Sequence, residues 1–173
     1  LEYSGEFQHH SINGDGSADI LWHNANGALA EWQLNGTSYI GGGVIAGPPA
    51  DWSLAAVNDF NGDGSADMLW RNTNGSLAEW LMNGTSYIGG GVIAGPSADW
   101  SLAAVNDFNG DGMADMLWRN ANGSLAEWQM NGTSYIGGAV IAGPGGGWTL
   151  KGAADFTGDG KADLLWQTGG SLA

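Results

Sequence analysis

The sequence predicts an all-β protein, a β-propeller of four-stranded blades, on three observations. Residues 51–98 and 99–146 align without a gap and differ at six positions, so a 48-residue unit is written out twice in succession. A period of roughly 40 to 50 residues with strand chemistry belongs to propellers and related arrays. Each unit divides at Gly, Asn and Asp turns into four short strand-forming runs, the content of one blade. Turn and stop signals arrive roughly every ten residues, which leaves little room for helices. About 3.5 blades fit into the 173 residues, whose 32 Gly and 10 Trp suit tight turns and large packing groups.

In chain order, an atypical segment (1–10) precedes repeat 1 (11–50), repeat 2 (51–98), repeat 3 (99–146) and a partial repeat 4 (147–173). Where later units carry WSLAAVNDF the first carries SGEFQHHSI, either a degenerate terminal unit or partly non-native sequence. In repeat 2 the expected strands are 53–57, 67–71, 77–82 and a fourth running through Tyr87 and Ile88 toward 92–94. The turn at 72–75 and the Asn83-Gly84 pair close hairpins, and Gly95-Pro96 leads into the next unit. Repeat 4 stops at Ala173 within its third strand. Closed propellers have roughly four to eight blades, and open strand edges invite aggregation. The expectation is therefore either self-association of two chains into one propeller of about seven blades or a piece of a longer array.

Between the first two strands of every unit lies an acidic loop: SINGDGSAD (11–19), DFNGDGSAD (59–67), DFNGDGMAD (107–115) and DFTGDGKAD (155–163), here loops 1 to 4. Numbered from its first residue, each offers oxygen-bearing side chains at positions 1, 3, 5 and 9 and Gly at position 6. Ca2+ asks for such a set, with six or more oxygens at ~2.3–2.6 Å and a glycine at the sharp turn. Asn-Gly and Asp-Gly also make plain hairpin turns, but turn chemistry does not call for third and fourth oxygens on alternate positions. Position 7 is Ser17, Ser65, Met113 or Lys161. In oxygen-only loops that residue contributes its main-chain carbonyl, so its side chain is expected not to matter.

The candidate metal ligands are thus Asn13, Asp15, Ser17 and Asp19 in loop 1, and Asp59, Asn61, Asp63, Ser65 and Asp67 in loop 2. Loop 3 offers Asp107, Asn109, Asp111, Met113 and Asp115, and loop 4 offers Asp155, Thr157, Asp159, Lys161 and Asp163. Ser11 replaces the first Asp in loop 1 and Thr157 is a weaker donor in loop 4, so lower affinity is expected at both. Position 12 is Trp22, Trp70, Trp118 or Trp166 rather than a bidentate Glu, which excludes an EF-hand.

The formal charge is −14, and eleven of the thirteen Asp lie in these loops, so the acidity is mostly ligand charge. Without cation the carboxylates repel one another, and metal binding is expected to couple to folding. With four basic residues the chain has no basic footprint for nucleic acid. Cysteine is absent, which excludes disulfides and thiolate metal sites. No apolar run has membrane-spanning length and no signal-peptide core opens the chain, so a soluble, mature chain without membrane insertion is expected. His9, His10 and His23 do not repeat and join no Ser-His-Asp arrangement. Glu31, Glu79 and Glu127 recur in AEW, one Glu per unit, whereas a glycosidase needs two carboxyls about 5–10 Å apart. No catalytic residue is assigned.

DFNGDGSADMLW followed by TSYIGGGVIAGP resembles the FG-GAP or VCBS repeat of integrin-type calcium-binding β-propellers, over residues 11–173. The resemblance implies a calcium ion in a hairpin loop of each blade, up to four in all and mainly structural. Some such propellers are lectins, seven-bladed ones with sites between blades among them, which makes multivalent carbohydrate binding the favoured function. The alternatives are a protein-binding adhesion or assembly module, and a non-catalytic appendage of a secreted enzyme. Modest-affinity calcium modules are an extracellular habit, so a secreted or cell-surface and bacterial protein is expected. For strand tryptophans, packing between blades is the favoured role. Trp52 and Trp100, beside Asp51 and Asp99 at loop-to-strand junctions, are the first candidates for sugar stacking, and Tyr39, Tyr87 and Tyr135 the next.

Overall fold

The computed structural model describes residues 11–24, 27–145 and 147–173, so the atypical first ten residues lie outside the described ones. Among the described residues fourteen strands follow one another: β1 (Ile20–His23), β2 (Leu29–Asn35), β3 (Ser38–Ile45), β4 (Trp52–Asn58), β5 (Asp67–Asn72), β6 (Leu77–Asn83) and β7 (Ser86–Ile93). Then come β8 (Trp100–Asn106), β9 (Asp115–Asn120), β10 (Leu125–Asn131), β11 (Ser134–Ile141), β12 (Thr149–Ala154), β13 (Asp163–Thr168) and β14 (Ser171–Leu172). No helix occurs among the described residues.

Each sheet is an antiparallel meander: β1-β2-β3, β4-β5-β6-β7, β8-β9-β10-β11 and β12-β13-β14, here blades 1 to 4. The chain is thus all-β and built of propeller-type blades on a 48-residue repeat, two of them complete with four strands. Blades 1 and 2 belong to one compact unit, Leu1–Ala94, and blades 3 and 4 to a second, Gly95–Ala173.

Burial follows strand position. The second strand of a complete blade is covered on both faces, with Met68, Leu69 and Trp70 of β5 buried, while the outer strand β7 exposes Tyr87, Ile88 and Val92. That outer strand holds together through its glycines. Gly90 adopts φ +133°, and a Cβ there would lie 2.0 Å from the Glu79 carbonyl oxygen, so only glycine lets β7 close on β6. A register shift between Leu81 and Met82 accompanies this approach.

In the first unit Leu29 and Ile45 of blade 1 pack with Met68, Trp70, Ala78 and Met82 of blade 2, flanked by Leu21, Trp52, Leu54 and Trp80. In the second unit Leu117 and Leu125 of blade 3 pack with Trp166 of blade 4, flanked by residues that include Phe108, Trp148 and Leu150. Each large side chain buried this way stabilises by ~1.5–3 kcal/mol, so the core joins blades rather than filling any one of them. Within a blade an aromatic row crosses the sheet toward its outer edge. Trp70 meets Trp80 at 5.3 Å and Trp80 meets Tyr87 at 5.6 Å between ring centroids. Trp118, Trp128 and Tyr135 repeat the row in blade 3, and Trp22, Trp32 and Tyr39 in blade 1.

Candidate functional site

Every acidic loop joins two strands or leads into one, and its side chains fold back on its own main chain. In loop 2 Asp59 accepts from the Gly62 amide at 2.7 Å and from the Gly64 amide at 2.8 Å, through different carboxylate oxygens. Asn61 Oδ1 accepts from the Asp63 amide at 2.9 Å, and Asp63 Oδ1 from the Ser65 amide at 2.8 Å. The Asn61 amide group donates to the other Asp63 oxygen at 3.0 Å, so positions 3 and 5 face one another. Loop 3 repeats these bonds through Asp107, Asn109 and Asp111. In loop 4 Asp155 takes the Gly158 and Gly160 amides, which hold its carboxyl below the usual range. Loop 1 keeps the turn with less oxygen: Ser11 Oγ, a single atom, accepts from the Gly16 amide at 3.0 Å where the other loops use a carboxylate.

Position 9 is set apart. Asp67 and Asp115 open their strands and are fully buried. Asp67 accepts from Phe60 N–H at 3.0 Å on one oxygen and from Met82 N–H at 2.8 Å on the other, tying loop 2 to β6. Burial pushes its carboxyl up to about 6 despite those two amides, and Asp115 is likewise pushed up to about 6 by burial. Asp19 makes the equivalent bonds to Ile12 and Leu34, while Asp163 holds the Phe156 and Thr157 amides.

Among the described residues no three His, Cys, Asp or Glu side chains gather in one metal-ligating group. The loops mix carboxylates with an amide or hydroxyl oxygen and a main-chain carbonyl; some carboxylate oxygens accept a single amide, as both of Asp59 do, and others accept two, as Asp107 Oδ1 and Asp155 Oδ1 do. As chemistry, an all-oxygen set with several carboxylates and one sharp glycine turn fits a hard divalent cation.

Consecutive loops rest on one another within each unit. The Ser11 carbonyl accepts from the Ala66 amide at 2.9 Å, and the Asp107 carbonyl from the Ala162 amide at 2.7 Å. Position 1 of one loop is thereby bonded to position 8 of the next. Position 7 joins the same contact. Ser65 Oγ would lie 3.0 Å from a Cβ on Gly14, and the Lys161 side chain 3.2 Å from a Cβ on Gly110. A side chain expected to be immaterial therefore covers the position-4 glycine of the preceding loop.

The ligand candidates separate. Trp52 packs on the core cluster, and its neighbour Asp51 accepts from the Asn72 side chain at 2.7 Å, bracing the turn after β5. Trp100 is half-buried opposite Asn120, while Asp99 takes the Ser97 hydroxyl and the Asn120 amide, bonds that hold its carboxyl below the usual range. Tyr39, Tyr87 and Tyr135 stand exposed on the outer strands, each edge-on to a tryptophan. Tyr87 and Trp80, with Thr85, form one wall of a cleft of about 500 Å3 whose other wall is Ile45 and Ala46 of blade 1. Ile45, Ala46 and Thr85 were not singled out from sequence, where the recurring VIAG and NGT segments that carry them were the available signal; Trp80, a strand tryptophan, is one for which the sequence favours packing between blades. Another hollow, of about 390 Å3, lies by the turn after β9. Its one basic group, Arg119, donates to the Trp148 carbonyl at 3.1 Å and lies over the Trp166 ring at 5.5 Å, which commits it to joining blades 3 and 4.

The AEW glutamate of blade 1 sits at the blade-to-blade contact too. Glu31 is fully buried and accepts from Gln33 at 2.7 Å. Gly84 of blade 2 covers that pair so closely that a Cβ would stand 3.3 Å from the Gln33 nitrogen.

Meandering blades, each carrying one acidic loop, define a repeat protein of the propeller class. The chain belongs to the FG-GAP-like repeat family, whose model matches residues 59–118 and again 107–166, together well over half of it. The two matches start 48 residues apart, one repeat unit. No curated protein matches the chain.

Proposed function

We propose that this chain is a non-catalytic binding module, stabilised by Ca2+ in its acidic loops, that takes carbohydrate in the clefts between blades. The observation that carries the sugar reading is the cleft in the first unit. It offers the Trp80 and Tyr87 rings, the Thr85 hydroxyl for hydrogen bonding, and an apolar wall from the neighbouring blade. Aromatic faces with a few polar groups at one edge suit pyranose rings, which present both C–H and O–H surfaces. Association of several chains would multiply this cleft, so weak single sites would gain through avidity.

Asp59, Asn61, Asp63 and Asp67, with the Ser65 carbonyl, would hold the ion in loop 2; Asp107, Asn109, Asp111 and Asp115, with the Met113 carbonyl, would do so in loop 3. Bound Ca2+ supplies positive charge among clustered carboxylates, two of which carry a desolvation cost that raises their pKa. Because the loops bridge blades, the ion's effect is to hold the cleft walls in place. The same reading makes the protein secreted or cell-surface and bacterial, and self-association its route to a closed ring.

A glycan array run in calcium and again in chelator tests the proposal. The expected result is a restricted set of sugars bound only in calcium, with Tyr87→Ala weakening them roughly tenfold. Silence on all glycans would favour a protein ligand instead. That second reading has its own support in the exposed Tyr, Ile and Val side chains repeated along β3, β7 and β11.

A further inference from the structure

The contact between loops 3 and 4 carries a charge that its counterpart in the first unit lacks. Over Gly14 of loop 1 lies the hydroxyl of Ser65, 3.0 Å from where a Cβ would be. Over Gly110 of loop 3 lies the stem of Lys161, with Cγ at 3.2 Å and Cε at 3.3 Å from that point. The Gly110 amide itself donates to Asp107 Oδ1 at 2.6 Å. The ammonium group is one bond beyond Cε, so it is delivered beside the loop that holds Asp107 and Asp111.

We propose that Lys161 lowers the divalent-cation affinity of loop 3, acting as a resident positive charge against which the ion must bind. Ser65 holds the equivalent place over loop 1 within the first unit, where its uncharged hydroxyl leaves that loop without such a charge. The proposal rests on the calcium reading above. Its physics is screened Coulomb repulsion between an exposed ammonium and an arriving dication, doubled by the ion's charge. It changes the ranking of the loops: loop 3 has a complete donor set but a weaker site than its residues alone indicate.

The test is a calcium titration of the whole chain labelled with 15N-glycine, followed by NMR. Gly112 reports loop 3, since its amide is held by Asp107 Oδ2 at 2.8 Å. Gly64 and Gly160 report loops 2 and 4 through the same bond to Asp59 and Asp155. Lys161→Met keeps the stem over Gly110 and removes the charge. It should lower the Gly112 midpoint roughly three- to tenfold at low salt, less at high salt, and leave Gly64 unmoved. An unmoved Gly112 midpoint, or a shift confined to Gly160, overturns the proposal. If no glycine responds to millimolar calcium, the calcium reading itself fails and the proposal falls with it.

Discussion

Blades 2 and 3 share strands almost residue for residue, and the register of one repeats in the other: Met68 faces Trp80 as Met116 faces Trp128. Yet the carboxyl of AEW lives differently in the two. In blade 3 Gln129 donates to Glu127 at 2.9 Å, as Gln33 does to Glu31 in blade 1. Blade 2 has Leu81 at that place. Glu79 is fully buried, and neither of its oxygens finds a hydrogen-bond partner among the described residues. Burial, with the nearby Asp67 charge, pushes it up to about 8, so at neutral pH it is mostly a neutral acid. Two things differ at this position: Leu81 stands where blades 1 and 3 carry a Gln donor, and Glu79 is fully buried where Glu127 is partly open.

The largest expected effect tests what the two blades have in common. Asp67→Ala removes the acceptor of one loop amide, Phe60, and of Met82 in β6; Asp115→Ala removes that of two loop amides, Phe108 and Asn109, and of Met130 in β10. Stranding two or three amides at buried or part-buried sites costs roughly 2–5 kcal/mol. Urea denaturation in chelator, which separates these bonds from any metal contribution, should find the two losses alike. A loss below ~1 kcal/mol in either blade would show that position 9 is not the strut described here.

The next effect separates the blades. An acid with a raised folded pKa destabilises as pH climbs: below about 4.5 both states are protonated, and between there and about 8 only the unfolded chain ionises Glu79. Stability should therefore fall across that window, and Glu79→Gln should remove most of the fall, gaining roughly 1–3 kcal/mol at pH 8 and little at pH 4.5. Asp67, raised to about 6, leaves its own smaller decline at more acid pH in the variant. Thermal melts of the parent chain and of Glu79→Gln from about pH 4.5 to 8 decide it, and parallel profiles would overturn the assignment.

The shared plan was legible because it repeats in one dimension. The 48-residue period, the glycines and the Asn-Gly turns mark loop and hairpin locally, and the strands lie within a residue or two of where those signals place them. What the loops touch was not legible. Ser65 on Gly14 and Lys161 on Gly110 are neighbours about one unit apart along the chain, brought together by the stacking of twisted sheets, and no local pattern encodes that. The surroundings of the ligand candidates were no more legible. Trp52 sits beside an acid in sequence, which looked like a sugar site, but Asp51 turns to Asn72 and the indole turns to the core. Tyr87 owes its place at the cleft to Ile45 and Ala46, one blade earlier in the chain.

The smallest effect is the sharpest test of a single residue. Leu81→Gln supplies blade 2 with the donor that blades 1 and 3 possess. If Glu79 is an orphan only for want of that amide, its pKa should drop toward the carboxylate range, and the chain should gain about 1 kcal/mol at pH 8. Gln129→Leu is not its mirror image. Glu127 is partly open to solvent, where water replaces the lost amide, so its loss should be a few tenths of a kcal/mol. A carboxyl-carbon NMR titration of Glu79 in Leu81→Gln reads the first outcome, and urea denaturation of Gln129→Leu reads the second. A Glu79 that still titrates near 8 in the Leu81→Gln variant would mean that enclosure by the neighbouring structure, rather than the missing donor, keeps it neutral.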